Sequence, residues 1–154
     1  MSEGKPFKTN IEYPRPDFSM NENWPNVKQV WRRTDNTDIG AAAVQSGKYV
    51  VYANTSGIVY ALDAATGNEI WKYRTDGKVF STPAVYGSGD AASVIIGSCD
   101  TYIYSLRIKD GKVNWKYKCG KSVLGSPAVF GGKVYIGASD LTFSALNAKN
   151  GKLV

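Results

Sequence analysis

A tandem repeat constrains this chain more than any other feature. The stretch Ala61-Leu62-Asp63-Ala64-Ala65-Thr66-Gly67-Asn68-Glu69-Ile70-Trp71 returns downstream in weaker form. Its glycine recurs as Gly111 and Gly151 and its tryptophan as Trp115, while Trp31 holds the matching place upstream. The tryptophan steps are 40 and 44 residues. A period of about 40–45 residues is that of four-stranded propeller blades. Each repeat would be one small sheet that cannot bury both faces alone and must stack on its neighbours. The expected fold is therefore all-β, a propeller of four-stranded antiparallel blades.

Read in order, the chain opens with residues 1–27, where Pro6, Pro14, Pro16 and Pro25 interrupt any sustained period. An extended, proline-containing leader or linker is expected there, pinned by Phe7, Tyr13, Phe18 and Trp24. Val27–Thr34 reads as a single strand carrying Trp31. Blades are then expected at about 40–75, 81–119 and 125–154. Each begins with a run of small residues: Gly40–Val44, Ser81–Val85 and Gly125–Val129. That smallness suits a first strand near the central axis, where room is least. Second strands are expected at Tyr49–Asn54, Ser93–Ser98 and Lys133–Ala138. Third strands follow at Ile58–Asp63, Tyr102–Ile108 and Thr142–Asn147, and fourth strands at Glu69–Thr75 and Lys112–Cys119. In the third strands Leu62 and Tyr60 should face one side and Ala61 the other. The glycines at 67, 111 and 151 end tight turns that need positive φ. The second repeat is longer at Gly87–Ala92, which reads as a flexible surface insertion.

The chemistry of the chain is bounded by what it lacks. No histidine occurs in its 154 residues. A Ser-His-Asp triad, a Cys-His pair and a His-ligated zinc site are thereby excluded within this chain. Cys99 and Cys119 form no CxxC pair and are expected to be buried free thiols. Asp100 and Asp140 occupy equivalent turns and read as residues capping their own backbone. The net charge of +6 is scattered, with Arg32-Arg33 its densest point. That falls short of the runs of about five like charges that mark nucleic-acid tails, so no nucleic-acid partner is expected. No apolar run approaches the roughly 18 residues of a membrane span, and no signal peptide is expected.

The pattern A-x-D-x-x-T-G-x-x-x-W, filled by Ala61, Asp63, Thr66, Gly67 and Trp71, resembles the tryptophan-docking motif of pyrroloquinoline-quinone-type propeller repeats, as in quinoprotein alcohol dehydrogenases. The resemblance covers about residues 28–154. It implies that Trp71 and Trp115 dock each blade on the glycine turn of the next. It also implies a periplasmic or cell-surface parent. The second copy keeps Gly111 and Trp115 and the third keeps Gly151. The family's dehydrogenases hold their quinone with adjacent cysteines, a calcium site and a catalytic Asp. None of these can be assigned here, so neither a catalytic residue, a metal ligand nor a cofactor is expected.

The strands sum to about three blades' worth, fewer than the roughly four to eight that close a propeller. Either the chain is part of a longer propeller, or copies assemble head to tail as a homodimer, strand 28–34 completing the partner's open blade. The expected function is a non-enzymatic scaffold or binding module for a protein, peptide or carbohydrate partner. Two alternatives stand beside it: a fragment of a quinone-dependent dehydrogenase, and the accessory propeller of a calcineurin-like metallophosphoesterase. The latter rests on Tyr13–Phe18, which resembles the stretch before such repeats in those proteins.

Overall fold

The computed structural model describes residues 28–154, which form three antiparallel sheets. The first is β1 (Val44–Ser46), β2 (Tyr49–Ala53), β3 (Ile58–Asp63) and β4 (Glu69–Arg74), paired in that order. The second repeats it as β5 (Ala84–Tyr86), β6 (Ser93–Gly97), β7 (Tyr102–Arg107) and β8 (Val113–Lys118). The third holds β9 (Ala128–Phe130), β10 (Lys133–Gly137) and β11 (Phe143–Asn147), with an isolated bridge from Leu146 to Leu153 where a fourth strand would begin. The innermost strand β5 lies between β1 and β9, so the sheets stack as a row that does not close.

Alternation along each strand separates the two faces, and the faces pack in pairs. Val51, Val59, Ala61 and Trp71 of the first sheet meet Val94, Ile96, Tyr104 and Leu106 of the second in one core. Ile95, Ile103 and Trp115 of the second meet Val134, Ile136 and Leu146 of the third in another. Tyr52, Tyr60 and Leu62 form a third cluster on the opposite face of the first sheet, with Trp31 against them. A buried Val, Leu or Ile contributes about 1.5–3 kcal/mol relative to exposure. The two inter-sheet cores therefore hold the row together. Leu62 and Tyr60 face one side and Ala61 the other, as alternation predicts.

A bulge recurs where the motif turns into the outer strand. Ala61 pairs with Trp71 but Leu62 pairs with Glu69, which leaves Ile70 without a partner in the ladder. Ser105, Trp115, Leu106 and Val113 repeat the pattern. Such a bulge re-aims the side chains beside it, here the indoles. The turn before it is also repeated. Gly67, Gly111 and Gly151 have φ of 73°, 69° and 70° and donate to Asp63, Arg107 and Asn147 carbonyls at 2.8, 2.9 and 2.8 Å. Only glycine takes this conformation without cost.

The structure departs from sequence expectation in four places. Residues 28–34 form no strand, because a strand needs a neighbouring edge and none lies beside them among the described residues. The small-residue runs precede the first strands rather than forming them: β1 starts at Val44, β5 at Ala84 and β9 at Ala128. Pro83 and Pro127, which lack the N–H a ladder requires, explain the late start in two of the three. Cys119 is buried but Cys99 is only half-buried, since it sits in the β6–β7 turn. The insertion at 87–92 is not a loose loop. It carries a 3-10 turn at Gly89–Ala91, and Asp90 accepts the Tyr49 hydroxyl of the first sheet at 2.7 Å. The leader expected at 1–27 lies outside the described residues.

Candidate functional site

The residues singled out by the repeat lie at the junctions between sheets. The Trp71 ring covers Gly111 so closely that a Cβ there would lie 2.6 Å from its Cε3 atom, and its indole N–H donates to the Ile108 carbonyl at 2.7 Å. Trp115 covers Gly151 in the same way and donates to Ala148 at 3.0 Å. Trp31 covers Gly67 and donates to Ala64 at 2.9 Å. Asp63 stays within its own turn, accepting the Ala65 and Thr66 amides and the Thr66 hydroxyl at 3.1, 2.9 and 3.0 Å. The Thr66 hydroxyl and amide hold its carboxyl below the usual carboxylate range. Ala61 is wholly buried opposite Trp71 in the ladder.

Two further sets of junction contacts escape sequence reading. Asp100 caps its own turn by accepting the Tyr102 amide at 3.0 Å, but its second oxygen accepts the Asp76 amide from the preceding repeat at 3.0 Å. Asp140 accepts the Thr142 amide at 3.0 Å and the Gly120 amide at 2.7 Å. Nearer the inner strands, the Thr82 hydroxyl accepts the Ala42 amide at 3.2 Å and the Ser126 hydroxyl accepts the Thr82 amide at 2.8 Å. The spacing of Asp100 from Asp140 follows the repeat and was the available signal. Ser and Thr are too common in turns to stand out.

The corner of the first sheet that Trp31 covers is also polar. Arg33 donates to the Tyr52 hydroxyl at 3.0 Å and pairs with Glu69 at 2.9 Å, its guanidinium 4.6 Å from the Tyr60 ring centre. Tyr52 donates to Asp35 at 3.2 Å, and Asn54 donates to both Asp35 oxygens. Burial, with Asp35 adding to it against the opposing Arg33, pushes the Tyr52 hydroxyl up to about 12. Burial and the hydrogen bond to Asp100 likewise raise Tyr104. Beside this corner lies a cleft of about 190 Å³ lined by Trp31, Arg33, Ile39, Ala43, Val50, Tyr52 and Leu62. A second, polar recess of about 390 Å³ runs along Thr55, Ser56 and Arg74 to Lys78.

Among the described residues no three Asp, Glu or Cys side chains converge on one point. Asp63, Asp100 and Asp140 are committed to backbone amides, and Asp110 to Arg107 at 2.9 Å and to the Lys112 amide. Burial, with the Asp140 charge adding to it, raises the Cys119 thiol above its ordinary value, which keeps it protonated at neutral pH.

Comparison with known proteins fits this geometry. A family model described as outer membrane protein assembly factor BamB matches residues 25–89 and again 87–154. BamB from Moraxella catarrhalis superposes with a TM-score of 0.67 at 26% identity, over 81% of this chain and 38% of that one. The computationally designed Ika4 protein superposes with a TM-score of 0.71 at 18% identity, over 83% of this chain and 78% of that one. The quinohemoprotein alcohol dehydrogenase ADHIIG from Pseudomonas putida HK5 gives 0.64 at 22% identity, over 80% of this chain and 21% of that one. At those identities the last two show the fold alone. The chain thus spans well under half the length of the natural proteins it superposes on. A search of curated proteins finds no match. With a family model covering every described residue and the same propeller geometry in solved structures, the chain belongs to the BamB family of quinoprotein-like, PQQ-type repeat β-propellers.

Proposed function

We propose that this propeller module is a non-enzymatic scaffold that binds a protein partner, and that it serves the assembly of a larger complex. One observation carries the reading: the repeat's aspartates, which might have formed a calcium or acid–base site, are spent on turns and on the junctions between repeats. Asp100 and Asp140 each bridge two repeats, and Asp63 and Asp110 each close a turn. The family description, an outer-membrane protein assembly factor, supports a protein partner over a carbohydrate. The place for such a partner is the polar recess along Thr55, Ser56 and Arg74 to Lys78, where the Arg74, Asp76 and Lys78 side chains are exposed.

The test has two arms. Titration with pyrroloquinoline quinone and calcium, followed by absorbance, should give no saturable uptake; saturable uptake would overturn the scaffold reading in favour of a dehydrogenase fragment. Fluorescence anisotropy with a labelled peptide from an outer-membrane β-barrel strand should saturate, and Arg74→Glu should weaken it.

A further inference from the structure

Asn150–Gly151 is the one Asn-Gly pair in the sequence. It closes the turn after β11, where the first and second repeats carry Thr66–Gly67 and Asp110–Gly111. Asparagine before glycine is the dipeptide in which a main-chain amide most readily attacks a side-chain amide, because glycine places no Cβ in the way. Attack needs a Gly151 nitrogen free to lose its proton and a backbone free to bring that nitrogen onto the Asn150 Cγ.

The folded turn withholds both. The Gly151 amide donates to the Asn147 carbonyl at 2.8 Å, and the Asn150 Oδ1 atom accepts the Lys152 amide at 3.1 Å. The Asn147 side chain adds two bonds, accepting the Lys149 and Asn150 amides at 3.0 and 3.3 Å. Over Gly151 lies Trp115, itself held by its bond to the Ala148 carbonyl. Gly67 and Gly111 show the same amide bond and the same indole cover, so this closure is a property of the repeat and not of the third sheet's place in the chain. Asn150 itself is exposed to water.

We propose that Asn150 is a site of self-modification by deamidation, held closed while Trp115 is docked and open when the third sheet undocks from the second. In the open turn the Gly151 nitrogen gives up its proton to solvent base and bonds to the Asn150 Cγ. The Cγ–Nδ2 bond breaks, and the side-chain nitrogen takes a proton from water and leaves as ammonia. Water then opens the five-membered imide. Attack at Cγ restores the main chain and gives aspartate, while attack at the main-chain carbonyl of residue 150 gives isoaspartate.

The two products differ in what the repeat can accept. Aspartate is what the second repeat already carries: Asp110 accepts the Lys112 amide at 3.2 Å as Asn150 accepts that of Lys152. Isoaspartate routes the main chain through an extra methylene, and Gly151 has no room to shift, since even an added Cβ would lie 2.6 Å from the indole. Isoaspartate therefore converts a transient undocking into a permanent one. The inference stands apart from the partner that the module binds.

The test incubates the full chain at mildly alkaline pH with and without guanidinium chloride. Mass spectrometry follows the peptide that contains residue 150, and isoaspartate methyltransferase labelling separates the two products. Loss of the Asn150 amide should be at least about tenfold slower in the folded chain, because reaction there passes through the open fraction. Asn68 and Asn114, followed by Glu69 and Trp115, should keep their amides over the same period. Trp115→Phe, which keeps a ring over Gly151 but loses the Ala148 bond, should speed the loss in the folded chain and leave the rate in denaturant unchanged. Asn150→Asp should keep the circular dichroism spectrum and melting temperature of the parent chain. Equal rates with and without denaturant, or a folded rate indifferent to Trp115→Phe, would overturn the proposal, and an Asn150→Asp chain that fails to fold would overturn its account of the aspartate product.

Discussion

The Asp140 carboxylate joins two repeats: one oxygen accepts the Thr142 amide of its own turn at 3.0 Å, and the other accepts the Gly120 amide of the preceding repeat at 2.7 Å. Asp100 does the same with Tyr102 and Asp76. Hydrogen bonds from the Thr142 hydroxyl first, then from backbone amides, hold the Asp140 carboxyl below its ordinary value of 3.8. A carboxyl depressed in the folded state adds stability that is present above the ordinary value and lost as pH falls through the folded one. Stability should therefore decline below about pH 4, read as a falling urea midpoint. Asp140→Asn should lower the midpoint at neutral pH and flatten that decline.

Trp71 is 8% exposed between two sheets. Trp71→Ala should cost about 3–5 kcal/mol in denaturant unfolding, in line with other large-to-small changes in cores. Trp71→Phe keeps most of the ring contact and loses the Ile108 hydrogen bond, a cost nearer 1 kcal/mol plus the smaller ring. A loss below about 1 kcal/mol for the alanine variant would show that the indole does not dock the sheets.

Ser105 is fully buried and its hydroxyl has no hydrogen-bond partner among the described residues. The same place in the other repeats is Ala61 and Ala145. Removing an unsatisfied buried hydroxyl should stabilise, so Ser105→Ala is expected to gain about 1 kcal/mol. No gain in melting temperature would argue against the burial described for β7.

Leu141 has φ of 68° and is 99% exposed. A left-handed backbone costs a branched side chain roughly 1–2 kcal/mol, and asparagine less. Leu141→Asn should raise stability by up to about 1 kcal/mol while removing an exposed apolar side chain. Gly57, the equivalent in the first repeat, has no such freedom: an added Cβ would lie 2.3 Å from the Gly77 carbonyl oxygen.

The sequence announced those parts of the architecture where a single residue type is physically required. A turn at positive φ beneath an indole demands glycine, so Gly67, Gly111 and Gly151 stood out, and with them the period and the strand order. The outer edge was harder to read. Residues 28–34 carry strand-forming side chains, but hydrogen-bonded pairing depends on a neighbour that local sequence cannot supply. Asp100 and Asp140 were recognised as turn residues because one oxygen does that common task. The task of the second oxygen depends on a neighbouring repeat, and only coordinates place Asp76 and Gly120 within reach. Likewise the Asp90–Tyr49 bond gave order to an insertion whose composition, Gly-Ser-Gly-Asp, suggested none.

The row in which β5 separates β1 from β9 has a consequence for how the molecule comes apart. Among the described residues each sheet is coupled only to its immediate neighbours, so cooperativity runs along one dimension. The central sheet has both faces covered, and every residue of β6 is buried. Its amides should be the slowest to exchange with deuterium, with protection fading outward through β2 and β10, so that the molecule behaves as a graded stack anchored at its middle.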